Sequence, residues 1–232
     1  MLRTRVDRYF VELNTSCPYG KEYRACFYQA LFGPLTDRAM ELFLAAGYRR
    51  NGNCLYTMHC RQCNACVPIR MNPHNFRPNR NQKRTLKRNQ DLSISYEPVR
   101  VDDEHLELCD RFLTVRYPQE QNSGDSYYGG FFCNTIVNSM CIDYRLDDRL
   151  VGSSIVDLGQ NWLNAVYFYF DPDEKKRSLG TFNIITLVNT CLEMGMDFLY
   201  LGYFIEGVGA MSYKKNFHPH QLFLDNQWRT IE

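Results

Sequence analysis

The run Ala165-Val-Tyr-Phe-Tyr-Phe170, Asp171-Pro-Asp-Glu-Lys-Lys-Arg177, Ser178-Leu-Gly180-Thr-Phe182, Asn183-Ile-Ile-Thr-Leu-Val-Asn-Thr-Cys-Leu-Glu-Met194, Gly195 and Phe198-Leu-Tyr-Leu201 decides the fold. Its first segment is aromatic and apolar, a strand composition, and Pro172 with the charges after it ends that strand. Ile184, Leu187, Val188, Cys191 and Leu192 recur at spacings of three and four, which predicts a helix over 183–194. Gly195 stands where a C-cap glycine belongs, and Phe198 to Leu201 reads as strand again. A strand that passes through a loop into a helix leaves free backbone N–H groups at the helix start, a place for an anion or an oxyanion.

The loop Arg177-Ser-Leu-Gly180-Thr-Phe182 resembles the Q/R-x-x-G-x-G/A loop of the GNAT acetyltransferases, which holds the pyrophosphate of coenzyme A. Phe182 replaces the last small residue, and its ring is expected to crowd a pyrophosphate. The segment therefore reads as an acyltransferase core that takes its acyl group from another carrier. Upstream, Cys141–Leu146, Leu150–Leu158 and Trp162–Phe170, joined by tight turns, read as an antiparallel meander. Meander, helix, strand is the order of a GNAT core.

The chain has 232 residues and a formal net charge of +1. That balance hides an asymmetry: residues 1–100 hold 17 Lys/Arg and 7 Asp/Glu (+10), and residues 101–232 hold 10 and 19 (−9). A domain boundary is expected near residue 100, giving a basic 1–100 domain with a cysteine cluster and a GNAT-like 101–232 domain. The basic part is the one suited to a polyanion. No apolar run is long enough for a membrane span, and Met1-Leu-Arg-Thr-Arg-Val6 lacks the apolar core of a signal peptide. Ten cysteines without such a signal point to reduced or metal-bound thiols and a cytoplasmic setting.

Residues 1–13 read as an edge strand or arm. Thr36 is an N-cap for a helix over 37–46 that Gly47 closes. Cys60-Arg-Gln-Cys63-Asn-Ala-Cys66 places three thiols within reach of one metal ion, with Cys17 as a fourth ligand and His59 as another option. Zinc and an iron–sulfur cluster both suit that spacing, and so does a group of small buried thiols. Phe76-Arg-Pro-Asn-Arg-Asn-Gln-Lys-Arg-Thr-Leu-Lys-Arg88 carries six basic residues and no acid. Arg80, Lys83, Arg84 and Lys87 fall on one helical face, the pattern of a phosphate-binding helix, with Arg77 and Arg88 at its ends. Asp102 to about Val115 reads as a helix, and Tyr117 to Asp125 as a polar loop and candidate lid.

Several stretches together resemble the arginyl-tRNA–protein transferase family, in its bacterial leucyl-transferring branch. They are Cys17-Pro-Tyr19, Gly47-Tyr-Arg-Arg50, Tyr56 through Cys60–Cys66 to Arg70, Phe76-Arg-Pro78 with the basic run, Tyr169-Phe-Asp-Pro172, Arg177–Thr181, Tyr200–Ile205 and Met211–Pro219. They cover nearly the whole chain. After Tyr19 the sequence Gly20-Lys-Glu-Tyr-Arg24 departs from the family's usual Leu-Pro-Gly-Arg, beside the cysteine cluster. The resemblance implies an α+β fold of two packed GNAT-like units, a mixed sheet flanked by helices. It also implies transfer of leucine, or less typically arginine or phenylalanine, from charged tRNA to the N-terminal α-amine of a protein starting with Asp or Glu. Such a product is marked for degradation in an N-degron pathway. The rival readings are a basic acceptor residue and a coenzyme A-dependent N-acetyltransferase.

Under this resemblance the N–H groups of Leu179 and Gly180 stabilise the oxyanion or the terminal ribose-phosphate. Asp171 or Glu206 accepts the amine proton, and Tyr203 or Tyr213 protonates the leaving oxygen. Arg77, Arg80, Lys83, Arg84, Lys87, Arg88 and Lys214 hold the tRNA. Arg24 and Arg70 meet the acceptor N-terminus. No cofactor is needed for transfer, the partners are leucyl-tRNA and a protein N-terminus, and a monomer is expected.

Overall fold

A computed structural model describes residues 7–118 and 122–232 of the chain. In order, the elements are β1 (Val11–Thr15), β2 (Ala25–Leu31), α1 (Asp37–Ala45), β3 (Arg49–Asn51), β4 (Cys54–Met58), β5 (Val67–Met71), α2 (Arg80–Arg88), β6 (Leu92–Pro98) and α3 (Asp103–Arg116). Then come β7 (Ser139–Leu146), β8 (Arg149–Leu158), β9 (Trp162–Phe170), α4 (Leu179–Glu193), β10 (Phe198–Phe204), β11 (His220–Leu224) and β12 (Gln227–Ile231). Short helical turns fill several of the connections. Residues 1–6 of the expected arm and 119–121 of the candidate lid lie outside the described residues.

Among the described residues two sheets form. The smaller is antiparallel in the order β1-β2-β4-β3. The larger has eight strands in the order β12-β11-β5-β10-β9-β8-β7-β6, and only β9 and β10 run parallel. The two sheets do not divide at residue 100: β5 and β6, both from the first hundred residues, pair with β10, β11 and β7. Strand pairing across the chain is set by long-range packing, which a composition shift does not report.

The expected α+β architecture, a mixed sheet with helices on its faces, is the one observed. Strand β8 shows why: every residue but Arg149 is buried, so both faces must be covered. Val151 and Val156 face a core built with α4, and Leu150 and Ile155 face one built with α3. Each such apolar side chain contributes about 1.5–3 kcal/mol on burial. A third core joins α1 and the smaller sheet to Trp162 and Tyr200 of the larger one.

The helix ends follow local chemistry. Thr36 caps α1 by accepting from the Ala39 N–H, and Gly47 leaves it at φ +85°. Asn79 and Gln82 close a reciprocal capping box at the start of α2. Gly195 ends α4 at φ +68°. The hairpin of β11 and β12 turns through Asp225 and Asn226, both at positive φ.

Candidate active site

Strands β9 and β10 are paired only where Trp162–Asn164 meets Phe198–Tyr200; beyond that they separate. The helix start, the turn after β10 and the smaller sheet all meet around this gap.

At its near end, α4 begins at Leu179 behind Ser178, which holds φ +56° and gives no side-chain cap. The Thr181 and Phe182 N–H groups donate to Ser178 O at 3.0 and 3.1 Å, which leaves those of Leu179 and Gly180 as the ones open to a ligand. Gly180 faces the Tyr213 hydroxyl, 3.8 Å from where a Cβ would stand. Burial pushes the Tyr213 phenol up to about 12, with Arg116 pulling the other way, so it is protonated and able to donate at neutral pH. The structure thus brings Gly180 and Tyr213 together at the start of α4.

Helix α2 docks beside this turn. Gln82 Nε2 donates to Asn216 O at 3.1 Å, and Asn89 Nδ2 donates to Arg177 O at 2.9 Å. The helix spans from the Tyr213–Asn216 turn to the loop before α4. Arg177, the first residue of the GNAT-like loop, is an anchor here, paired with Asp91 at 2.8 Å and Glu174 at 2.9 Å. Arg80, Lys83, Arg84 and Lys87 line one open concavity of about 460 Å³. The end residues differ: Arg77 donates to His74 O and Phe76 O, and Arg88 to Lys176 O, so both guanidinium groups brace the backbone.

On the other side of β10 lies a cavity of about 570 Å³ whose walls include Lys21, Arg24, His59, Tyr48, Ile205 and Phe223. Cys17, Cys60, Cys63 and Cys66 also line it. Burial pushes the Cys66 thiol up to about 12, and Cys60, Cys17 and Cys63 close by add to the effect. Four thiols on one wall are a donor set for a thiophilic metal. As placed, no three of these sulfurs lie within 4.8 Å of one another; among the described residues the trio that does is His105, Cys141 and Asp143.

Several sequence-based assignments change. Asp171 is buried between Arg111 at 3.0 Å and Arg149, and it accepts from the Asp173 N–H, so its oxygens are engaged in joining the end of β9 to α3 and β8. Glu206 is exposed on the turn after β10. Arg70 lies over the rings of Phe198 at 4.4 Å and Trp228 at 4.2 Å, and donates to Gln221 Oε1 at 2.8 Å and Tyr200 Oη at 3.1 Å. It is consumed within the sheet, whereas Arg24 does line the cavity, joined there by Lys21. Tyr203 is buried between the sheets, edge-on to Tyr56, and apart from neighbouring Thr57 its hydroxyl meets no partner. Phe182 packs into the core against Tyr144, so its ring does not crowd the loop as expected. Lys214 reaches Tyr203 O at 3.0 Å, inside the gap.

Sequence reading missed Arg49 and Arg50. Arg50 Nη2 and Asp157 Oδ1 form a fully buried pair at 2.8 Å that ties the smaller sheet to β8. Arg49 Nη2 donates at 2.8 Å to Ala165 O, the first β9 residue past the paired segment. The signal in the sequence was slight: Tyr48-Arg-Arg50 closely follows the apolar end of α1, but the polar Asn51-Gly-Asn53 after it gives the arginines no sign of burial.

A helix start with two open N–H groups facing a phenol, a cationic helix beside it, and a second cavity lined by Lys21 and Arg24 suit a group-transfer site with a polyanionic substrate. The comparisons agree. The family model "Arginine-tRNA-protein transferase, N terminus" matches residues 15–84, and its C-terminal counterpart matches residues 104–224. The aspartate/glutamate leucyltransferase of Pseudomonas fluorescens Pf-5 is 37% identical over 188 residues, 78% of each chain. That of Hahella chejuensis is 35% identical over 207 residues, 85% of this chain and 87% of that one. Among solved structures, L-PGS from Bacillus licheniformis superposes with a TM-score of 0.43 at 12% identity, over 82% of this chain and 59% of that one. The chain belongs to the arginine-tRNA-protein transferase family and is an aminoacyltransferase. Its donor is an aminoacyl-tRNA and its acceptor a protein. Among the described residues no helix is long and apolar enough to cross a membrane.

Proposed function

We propose that the protein moves leucine from leucyl-tRNA to the α-amine of a protein whose first residue is Asp or Glu, a reading supported by its relatives' name, aspartate/glutamate leucyltransferase. The observation that supports this is the docking of α2 beside the Gly180 turn, since a tRNA held on the cationic face of α2 would have its 3′ end within reach of the start of α4. The donor is already an activated ester, so alignment with the amine supplies much of the acceleration. The N–H groups of Leu179 and Gly180 meet the developing oxyanion, and Tyr213 stands by the leaving ribose oxygen. Lys21 and Arg24 in the cavity wall are cations for the acceptor's carboxylate. The cysteine wall is read as a ligand set for zinc or an iron–sulfur cluster that stays outside the transfer steps, and metal analysis of anaerobically purified protein tests it. We read the enzyme as a cytoplasmic monomer whose product enters an N-degron pathway.

The test is incubation with tRNA charged with labelled leucine, arginine or phenylalanine and peptides that differ only in residue one. Leucine on Asp and Glu peptides is expected. Transfer to Lys or Arg peptides alone would overturn the acidic acceptor.

A further inference from the structure

Arg49 and Lys214 come from distant parts of the chain and meet at Gly202. Strand β10 bulges between Tyr200 and Gly202 in its pairing with β5, and Gly202 holds φ +89°. A Cβ there would stand 3.2 Å from Arg49 Nη2 and 3.4 Å from Lys214 Nζ. Both cations thus press on the same bare Cα, inside the gap between β9 and β10. Lys214 Nζ donates to Tyr203 O at 3.0 Å and touches Met211 Sδ at 3.3 Å. The carboxylate that bears on Arg49, Asp157, is already held by Arg50 at 2.8 Å.

Two adjoining cations without a carboxylate of their own are costly in a largely dry setting. Arginine keeps its proton under such conditions, so the lysine is the one to yield. Burial first and Arg49 second bring the Lys214 amine down to about 7. Among the described residues, the other groups around the pair are Tyr203 from β10, Tyr56 from β4 and Tyr19, all beside Arg49, and Tyr213 on its own turn with Arg116 near it. Burial raises all four phenols, so they stay neutral and do not offset Arg49, and Arg116 adds a further positive charge. Lys214 also follows Tyr213, the residue that faces Gly180 at the helix start.

We propose that Lys214 is the general base of aminoacyl transfer, with Arg49 the positioning residue that keeps its amine neutral. This rests on the transferase reading above. The acceptor amine's lone pair forms the C–N bond as the carbonyl electrons move to oxygen. The proton on that nitrogen passes to Lys214 Nζ. Collapse breaks the ester C–O bond, and the proton returns from Nζ, directly or through Tyr213, to the departing ribose oxygen. Lys214 ends neutral, and no further reactant is required.

The experiment compares wild type, K214R and K214M with leucyl-tRNA and an Asp-starting peptide, following kcat and KM against pH. In parallel, labelling of the Lys214 amine by acetic anhydride is read by mass spectrometry across pH, in wild type and R49M. Wild-type kcat should fall about tenfold per pH unit below about 7, since the protonated amine cannot accept. Both Lys214 variants should lose about 10²-fold or more in kcat, keep KM for both substrates within about threefold, and lose that low-pH limb. The labelling midpoint should lie near 7 in wild type and move up in R49M. K214R working near the wild-type rate would mean that charge alone matters, an anion site, and would overturn the proposal. So would an unchanged pH profile in K214M. K214M removes a desolvated amine and should melt no lower than wild type; if it does not fold, K214R and the labelling still decide. Wild type that transfers no amino acid from any charged tRNA sinks the transferase reading itself, while the labelling still reports on Lys214.

Discussion

His105 has no solvent-exposed side-chain surface, and both of its ring nitrogens face carboxylates: Nδ1 meets Asp102 at 2.7 Å and Nε2 meets Asp143 at 3.0 Å. Burial alone would lower its pKa, but the hydrogen bonds to Asp143 and Asp102 outweigh that and hold it above the usual histidine value. A pKa raised by folding gives stability that is full below the unfolded value and is lost as pH rises through the folded one. His105→Ala leaves the buried Asp143 carboxylate with the Ser153 hydroxyl but no cation, and is expected to cost about 3 kcal/mol. Denaturant melts of wild type and variant at about pH 6 and about pH 9 check this, and the gap should narrow at the higher pH. The same logic of satisfied charge separates the candidate site residues. Asp171 and Arg70 have the right chemical type for their assigned roles, but neighbours already use their charge. Lys214 reads in sequence as one more tRNA contact and Arg49 carries no assignment, and their lack of a counter-ion appears only once distant strands bring them together.

Among the elements, α2 is the one whose sequence states its purpose. Its capping box fixes where it starts, and the three- and four-residue spacing of Arg80, Lys83, Arg84 and Lys87 puts them on one exposed face. Its buried side is narrow, built on Gln82 and Thr85, so the outer face is free to change without unfolding the helix. The double variant Lys83→Glu with Arg84→Glu is expected to raise KM for charged tRNA at least about tenfold, leave the melting temperature nearly unchanged, and flatten the salt dependence of binding. Filter binding over a salt series measures the slope; an unaltered slope would remove α2 from the tRNA interface. Helix α4 was equally legible in its apolar spacing. Its start was read four residues late, because Leu179 and Phe182 turn inward and only the tertiary core shows that they belong to it.

At the scale of the whole molecule, the Arg50–Asp157 pair clasps the two sheets. Arg50 donates to both Asp157 oxygens, and Ser139 and Asn164 complete the carboxylate's bonds. A buried pair with all its bonds made is costly to break on one side. Asp157→Asn should cost about 3–5 kcal/mol and lower the melting temperature by several degrees. It should also impair transfer, since the β9–β10 gap takes Arg49 from the smaller sheet. Circular dichroism melts and the transfer assay measure the two effects; an undiminished melting temperature would mean that the sheets hold without the clasp.

The strands of the meander, the capped helices, the cationic face of α2 and the glycine loop before α4 were determined by the sequence alone. Each rests on neighbours within about one or two turns or on the alternation of one strand, interactions that local periodicity records. The placement of β5 between β10 and β11, the burial of Arg49 and Arg50, and the gathering of Gly202 with Lys214 were decided only by the tertiary structure. They depend on which strands pair across more than a hundred residues and on which charges lose their water when they do, and neither quantity is written in any single stretch of chain.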